Sequence, residues 1–157
     1  MKTLISQTEV LRRAFSSHER LPADLIREAD IASVEACYLR PILGDALYER
    51  LLEGDDATFV ADYLADAVAL LCRNVVLPRM MHRCTLAGLL RPDPSESTPA
   101  DVTAVTRDRR MAKQQGINLL RRAVRYIEAH EADFPEYDPD NNVLNHCSTD
   151  GGFVQVY

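Results

Sequence analysis

The stretch from Asp56 to Leu77 constrains the fold more than any other part of the chain. Its apolar residues recur at spacings of three and four and continue almost all the way round a helical cylinder. A helix that is apolar on nearly every side belongs in the middle of a domain, so we expect the other segments to surround it. A short acidic side chain at Asp55 or Asp56 suits its N-cap. The apolar positions are Phe59, Val60, Tyr63, Leu64, Ala67, Val68, Leu70, Leu71, Val75 and Leu77.

This stretch does not have the pattern of a membrane span. Its longest fully apolar run, Ala67 to Cys72, is far shorter than the roughly 20 apolar residues that cross a bilayer. A length of 157 residues with 46% hydrophobic and 27% charged residues is typical of one globular domain. The opening residues contain no signal-peptide core, so we expect a cytoplasmic protein without a membrane partner. We predict an all-α, single-domain bundle over residues 1–157, built around the central helix.

Two helices are predicted before a proline. Ser6 and Glu9 have the spacing of a capping box, which predicts a first helix over about 7–15. Pro22 suits the first turn of a second helix, which should reach Arg40. The buried stripe predicted for this second helix is Leu25, Ala29, Ala32, Ala36 and Leu39, widened by Ile31, Val34 and Tyr38.

A corner follows the second helix. Proline lacks a backbone N–H and restricts the residue before it, so this helix should end or kink before Pro41. Gly44 and Asp45 then introduce a short helix, Ala46 to Glu53, which Gly54 closes at its C-terminus. The corner leads directly into the central helix.

Beyond the central helix the sequence predicts a bend, a loop and a last long helix. Pro78 should kink or end the central helix, with a continuation from Met80 to Leu90. Arg91 to Ala100 contains three prolines and no large apolar residue, which predicts an exposed loop. Poor helix formers leave the start of the last helix between about 99 and 107. Its predicted buried stripe is Ala112, Leu119, Leu120, Ala123, Val124 and Ile127.

Residues 131–157 are predicted to form an extended tail, because they are rich in Pro, Asp, Asn and Gly. The last five residues, Phe153 to Tyr157, are strand-like, and a single strand needs a partner to be stable. Two partners remain open. One is Lys2 to Ile5 of the same chain, and the other is a neighbouring subunit that accepts the strand at an open edge.

The reactive side chains do not form a catalytic or metal-binding motif. His82 and Cys84 are two residues apart on a predicted helix, so they point to different faces. His146 and Cys147 are adjacent, but the further ligands that zinc needs are missing at recognisable spacings. We therefore predict a non-enzymatic protein without a metal or other cofactor. Its cysteines are expected to be reduced and structural, and they are Cys37, Cys72, Cys84 and Cys147.

The last predicted helix carries a basic stripe, although the formal net charge of the whole chain is -6. Such a stripe can contact nucleic-acid phosphates or an acidic protein partner, of which the protein partner is favoured. It is also typical of the solvated face of an amphipathic helix. The basic stripe consists of Arg107, Arg110, Gln114, Asn118, Arg121 and Arg125, with Arg109, Lys113 and Arg122 beside it.

The segment from Tyr38 to Tyr48, YLRPILGDALY, resembles a pattern in the head-tail connector, or adaptor, proteins of tailed phages and prophages. In that pattern a buried helix is followed by a Leu or Ile before a proline, then by LG, LY and a leucine-rich turn ending in glycine. A looser likeness extends to the LIS opening, the helix after Asp56 and the turn from Phe134 to Tyr137. The prolines of 91–100 and the cysteine-bearing tail have no counterpart in the pattern.

This resemblance implies an all-helical subunit that joins a ring below the portal, extends the DNA channel and offers a platform for tail components. The implied partners are further copies of the chain and the portal and tail proteins, with DNA only passing through and no small-molecule substrate. Pro41 and Gly44 would set the corner, and Leu47 and Tyr48 would pack the short helix onto the core. The alternative is a small nucleic-acid-binding or regulatory module that uses the basic stripe. The candidate partner-interface residues are Arg107, Arg110, Arg121, Arg125, Phe153, Val154, Val156 and Tyr157.

Overall fold

The structure is a computed structural model that describes residues 2–16, 25–80 and 102–145, together with the backbone of 83–85 and 88–90. The fold is predominantly α-helical, as the sequence predicts. The predicted loop at 91–100 and the predicted strand at 153–157 lie outside the described residues. Five helices make up most of the described part of the chain: α1 (Gln7–Ala14), α2 (28–43), α3 (Asp45–Glu53), α4 (57–80) and α5 (Val102–Ala129).

Helix α4 is the central helix, and its most extensive contacts are with α5 and α1. It consists of Ala57–Phe59, a π-helical turn at Val60–Leu64, and Ala65–Met80. The prediction of a buried helix from Asp56 to Leu77 is therefore confirmed. No helix within the described ranges has both the length and the apolarity to cross a membrane. The side chains of α4 without solvent exposure include Leu64, Ala67, Val68, Leu71, Cys72 and Val76.

Pro78 lies inside the last turns of α4 and does not end the helix there. Its missing N–H would leave the carbonyl oxygen of Asn74 without its helical donor. The Nε atom of Arg109 on α5 donates to that oxygen at 3.1 Å. A side chain of the neighbouring helix thus replaces the missing backbone hydrogen bond, and α4 continues to Met80.

The predicted helical continuation from Met80 to Leu90 is wrong. Arg83–Thr85 (β1) pairs with Gly88–Leu90 (β2) as a short antiparallel hairpin, with Cys84 opposite Leu89. Thr85 and Gly88 both have low helix propensity, which disfavours a further helical segment.

Helix α2 differs from the prediction at both ends. Its described start is Glu28, after non-helical residues 25–27, and the predicted start at Pro22 lies outside the described residues. The Asp30 carboxylate accepts the backbone N–H of Arg27 at 3.1 Å. The helix then continues through Pro41 to residue 43, because a π-helical turn at Glu35–Leu39 precedes the proline. In this turn the N–H of Arg40 donates to the carbonyl of Glu35. Of the two predicted outcomes, an end before Pro41 is therefore wrong, and a π turn precedes the proline.

The buried face of α2 is also rotated from the predicted stripe. Ala29 and Ala36 are exposed, although helical spacing predicts both on the buried stripe. Large apolar side chains gain more from burial than alanine does, and they determine which face meets the core. The buried residues of α2 are Asp30, Ile31, Val34, Glu35, Leu39, Ile42 and Leu43.

The ends of α1 and α3 follow the predicted capping chemistry. Glu9 N–H donates to Ser6 Oγ at 3.3 Å and Ser6 N–H donates to Glu9 Oε2 at 2.9 Å, which confirms the capping box. Helix α3 lies between Gly44, with φ of 80°, and Gly54, with φ of 101°. Both angles are in the region that favours glycine, so these two residues fix where α3 begins and ends.

Helix α5 begins at Val102, within the predicted interval, and its buried face lies along α4. Leu119 of the predicted stripe is only half-buried, whereas Gly116 and Ile117 are buried. Gly116 allows the two helices to approach closely, because a Cβ there would lie 2.8 Å from Leu71 Cγ. The buried residues of α5 are Ala112, Gly116, Ile117, Leu120, Ala123, Val124 and Ile127.

The described part of the tail, 130–145, consists of turns and one 3-10 turn at Pro139–Asn141. Asn142 is completely buried and donates through Nδ2 to the hydroxyl of Tyr137 at 2.7 Å. The backbone N–H of Val143 donates to the carbonyl of Pro41 at 3.2 Å. The tail therefore returns to the corner between α2 and α3.

Candidate functional site

The corner between α2 and α3 contains the four residues to which the resemblance gives structural roles. Pro41 is exposed, and Gly44 turns the chain with φ of 80° and ψ of 158°. Leu47 and Tyr48 are buried, with relative exposures of 0% and 4%. These residues shape the backbone and the core.

A buried carboxylate lies at the centre of this corner. Glu35 has no solvent exposure, and its Oε1 accepts the backbone N–H of Leu4 at 2.9 Å. Its Oε2 accepts the hydroxyl of Tyr48 at 2.8 Å. Burial raises the pKa of Glu35, while the hydrogen bonds from Tyr48 and Leu4 oppose that shift. Glu35 thereby connects the N-terminal segment, α2 and α3.

Arg40 covers the outer side of the corner. Its guanidinium lies 4.5 Å from the centroid of the Tyr48 ring. It also donates to Asp45 at 3.0 Å and to Glu49 at 2.6 Å. The polar groups of Glu35, Tyr48 and Arg40 therefore have partners inside the protein, and the corner is a packed structural element.

The basic stripe lies on the solvent side of α5. Arg107, Arg110 and Arg125 are exposed and Arg121 is half-buried, while Gln114 donates to Asn118 at 3.2 Å. None of these four arginines forms an ion pair with any residue in the ranges that the structure describes. Among the described residues, the stripe therefore presents arginines without an ion-pair partner.

The three basic residues beside the stripe contact other helices. Arg109 donates to the Asn74 carbonyl on α4. The ammonium group of Lys113 lies 5.8 Å from the centroid of the Tyr38 ring, and the guanidinium of Arg122 lies 4.9 Å from that of Tyr63. These residues therefore join α5 to α2 and α4, unlike the stripe itself.

The other predicted interface residues lie outside the described part of the chain; they are Phe153, Val154, Val156 and Tyr157. The same holds for His82, His146 and Cys147.

The two cysteines with described side chains differ in their surroundings. Cys72 is buried, and burial raises the pKa of its thiol to about 12, so the thiol is protonated at neutral pH. Cys37 is exposed, which corrects the expectation that it packs as a small apolar side chain. Across the described ranges, His, Cys, Asp and Glu side chains form no group that could hold a metal ion.

An aromatic cluster, which sequence reasoning missed, joins α4, α5 and the turn after α5. The ring centroids of Phe59 and Tyr63 are 5.5 Å apart, and those of Tyr63 and Tyr126 are 4.3 Å apart. Phe134 lies 4.9 Å from Phe59. Phe59 and Phe134 are buried and the two tyrosines are half-buried. The four-residue spacing of Phe59 and Tyr63 on a helix is a signal that could have suggested such a cluster.

The cluster forms the floor of a surface cavity of about 480 Å³, which we call the acidic aromatic pocket. Arg50 lies at its edge, where its guanidinium donates to Asp56 at 2.6 Å and to Glu136 at 2.7 Å. The pocket is lined by more carboxylates than guanidinium groups, so its surface is acidic. The lining residues used below are Asp55, Asp62 and Asp133 on the rim and Phe59, Tyr63 and Tyr126 on the floor.

Comparisons with known proteins identify a family for this chain. A family of unknown function, DUF6712, matches residues 39–146, which include Pro41 to Tyr48 of the corner, the acidic aromatic pocket and the basic stripe. No match was found among curated proteins or among solved structures. Because the match covers most of its length, the chain belongs to the DUF6712 family.

Proposed function

We propose that this chain is a non-enzymatic structural protein of a tailed-phage virion, a head-tail connector subunit that assembles as a ring between the portal and the tail. Its partners would be further copies of itself and the portal and tail proteins. It would be cytoplasmic during assembly and then part of the virion, with DNA passing through the channel of the ring.

The observation that carries this proposal is the architecture of the corner. The segment that resembles connector proteins, Tyr38 to Tyr48, spans the end of α2, the turn at Gly44 and the start of α3. Gly44 turns the backbone, and Leu47 and Tyr48 are buried in the core. The polar groups of Tyr48 and Arg40 have partners within the protein. A segment used in this way suits a subunit that acts through its shape.

Deleting the gene from a phage that encodes this chain tests the proposal. DNA-filled heads and free tails are expected to accumulate separately, because the part that joins them would be missing. Electron microscopy of lysates measures the fraction of joined particles, and a plasmid-borne copy of the gene should restore it. A deletion mutant with a normal yield of joined, infectious particles would contradict the proposal.

The second candidate function is nucleic-acid binding or regulation through the basic stripe. It is favoured by Arg107, Arg110 and Arg125 of α5, which are exposed and form no ion pair with the residues that the structure describes. It is opposed by the formal net charge of -6, which repels a polyanion from most of the protein surface. This candidate makes a distinct prediction about salt.

If the stripe binds nucleic acid, changing Arg110, Arg121 and Arg125 to alanine should weaken binding of duplex DNA. The slope of log affinity against log salt should then fall by about one for each phosphate that the variant no longer neutralises. Fluorescence anisotropy over a salt series measures both quantities. Arg12→Ala, an exposed arginine on α1, is the matched control. Absence of duplex and single-strand binding at low salt would remove this candidate.

A further inference from the structure

We propose that the acidic aromatic pocket of one copy receives Arg107 and Arg110 from the basic stripe of a second copy, so that the chains associate head to tail. This inference deepens the proposed function and rests on it for the choice of a second copy as the occupant. The contact joins two different regions of the protein, the pocket on one copy and the stripe on the other.

The pocket has the chemistry of a guanidinium site. The carboxylates of Asp55, Asp62 and Asp133 are exposed, and within the described residues they form no ion pair. Charge-assisted hydrogen bonds from arginine to carboxylates are stronger than neutral ones and favour a paired geometry. An incoming arginine would therefore find acceptors around the rim.

The aromatic floor suits the same occupant. Tyr63 and Tyr126 are half-buried. Their ring faces already contact each other at 4.3 Å, and Tyr126 also stacks on His130 at 4.2 Å. An incoming arginine would therefore pack its methylene groups against the exposed edges of these side chains. Within this chain, guanidinium groups already lie over two rings of the cluster: Arg122 over Tyr63 at 4.9 Å and Arg50 over Phe134 at 5.7 Å.

The charges that remain at the pocket are negative. Arg50 is neutralised by Asp56 and Glu136, which both lie within 2.7 Å of its nitrogen atoms. Arg122 does not line the pocket, but it contributes one positive charge beside Tyr63, against the three carboxylates on the rim. The basic stripe is complementary in sign, and its arginines are as exposed as the rim is.

The two surfaces lie at different ends of α5. Tyr126 on the pocket floor and Arg110 are separated by 16 residues of one helix, or about 24 Å along its axis. Arg107 is farther still, so neither arginine can reach the pocket of its own chain. Each copy therefore offers one pocket and one stripe end to two different neighbours. Such a heterologous contact generates a closed ring or an open filament.

Charge reversal tests the contact. One variant carries Asp55→Lys and Asp62→Lys, a second carries Arg107→Glu and Arg110→Glu, and a third carries all four changes. Sedimentation velocity of the purified full chain, from about 10 μM to about 500 μM, measures association. We expect the wild type to associate, and each two-site variant to associate about 100-fold more weakly. The four-site variant, and a mixture of the two-site variants, should associate again, because both surfaces are then complementary.

Controls separate this contact from a general effect of charge. Arg12→Glu and Asp140→Lys change exposed residues outside both surfaces and should sediment like the wild type. Circular dichroism confirms that every variant is folded. The proposal is overturned if the wild type is monomeric throughout, if the two-site variants associate normally, or if the four-site variant remains monomeric.

The same variants can identify another occupant of the pocket. They also distinguish a failure of this interface from a failure of the connector proposal. A monomeric wild type that binds an arginine-rich peptide only with Asp55 and Asp62 intact would assign the pocket to a foreign cationic partner, against a second copy. Two-site variants that enter phage particles normally would overturn this interface while leaving the connector proposal intact. If the protein associates head to tail but is absent from phage particles, the interface would stand and the connector proposal would be contradicted.

Discussion

Replacing Glu35 with leucine is expected to lower the free energy of unfolding by about 3 kcal/mol. The change removes the acceptor for the Leu4 N–H and for the Tyr48 hydroxyl, in a corner where Glu35 itself has no solvent exposure. Each donor left without a partner costs about 1–3 kcal/mol, and the relief of burying one fewer carboxylate offsets part of this. Urea denaturation followed by circular dichroism at pH 7 measures the difference.

Glu35→Gln is the matched control, because the amide keeps an acceptor for the Leu4 N–H and can donate to the Tyr48 oxygen. Its cost should be about 1 kcal/mol, well below that of leucine. A Glu35→Leu protein as stable as the wild type would show that the carboxylate does not hold these two donors.

The same pair of proteins reports the titration of Glu35. Burial raises its native pKa above the usual 4.5, so the folded protein binds this proton more tightly than the unfolded chain. The stabilisation of the fold that results from this tighter proton binding is fully present below pH 4.5. It is lost as the pH rises through the raised pKa of Glu35 in the folded protein. The unfolding free energy of the wild type minus that of Glu35→Gln should therefore decrease with rising pH above 4.5. A difference that is constant or rises with pH contradicts this assignment.

Gly116→Val is expected to destabilise the protein by about 3 kcal/mol. A Cβ at this position would lie 2.8 Å from Leu71 Cγ and 3.3 Å from the carbonyl oxygen of Ala67, and valine adds two further methyl groups. Leu71 has no solvent exposure, so it cannot move aside without displacing its neighbours. The two longest helices would have to separate. Thermal and urea denaturation measure the decrease in stability.

Two further variants isolate the contact between Gly116 and Leu71. Gly116→Ala should cost only about 1 kcal/mol, because the better helix propensity of alanine offsets part of the overlap. Leu71→Ala alone should cost about 2–5 kcal/mol, but in the Gly116→Val background it should cost less, because it makes room for the valine. Strictly additive effects would show that the two side chains do not compete for the same space.

The sequence predicted the elements whose causes are local. The Ser6–Glu9 capping box, the glycine at position 54 and the continuous apolar character of α4 each act within a few residues, and each has its expected structural role. The all-α class follows from these features together. The physics that produces them depends on helix ends and helix faces, which a sequence pattern contains directly.

The errors arose where a distant part of the chain decides the outcome. An end of α4 at Pro78, one of the two predicted outcomes, does not occur, because Arg109 from α5 replaces the missing donor. Glu35 is buried because its partners come from Leu4 and Tyr48, which are distant in sequence. A stripe drawn at regular helical spacing puts Ala36 inside and gives Glu35 no role, since it cannot anticipate the π turn at 35–39.

The two candidate surfaces also differ in whether their cause is local or distant in the sequence. The basic stripe belongs to one helix, so its exposure could be anticipated from spacing alone. The acidic aromatic pocket combines the start of α4, the end of α5 and the turn at 133–134. These segments meet only when α4 packs against α5, and no single stretch of sequence contains the pocket.

The most direct test of the connector proposal is the protein content of particles purified from a phage whose genome encodes this chain. Quantitative mass spectrometry should find the chain at a fixed number of copies per particle, comparable with that of the portal protein, because a ring subunit is part of every virion. Antibody-gold labelling should place it where the head joins the tail. Particles that are complete and infectious but contain no copies of this chain would contradict the account.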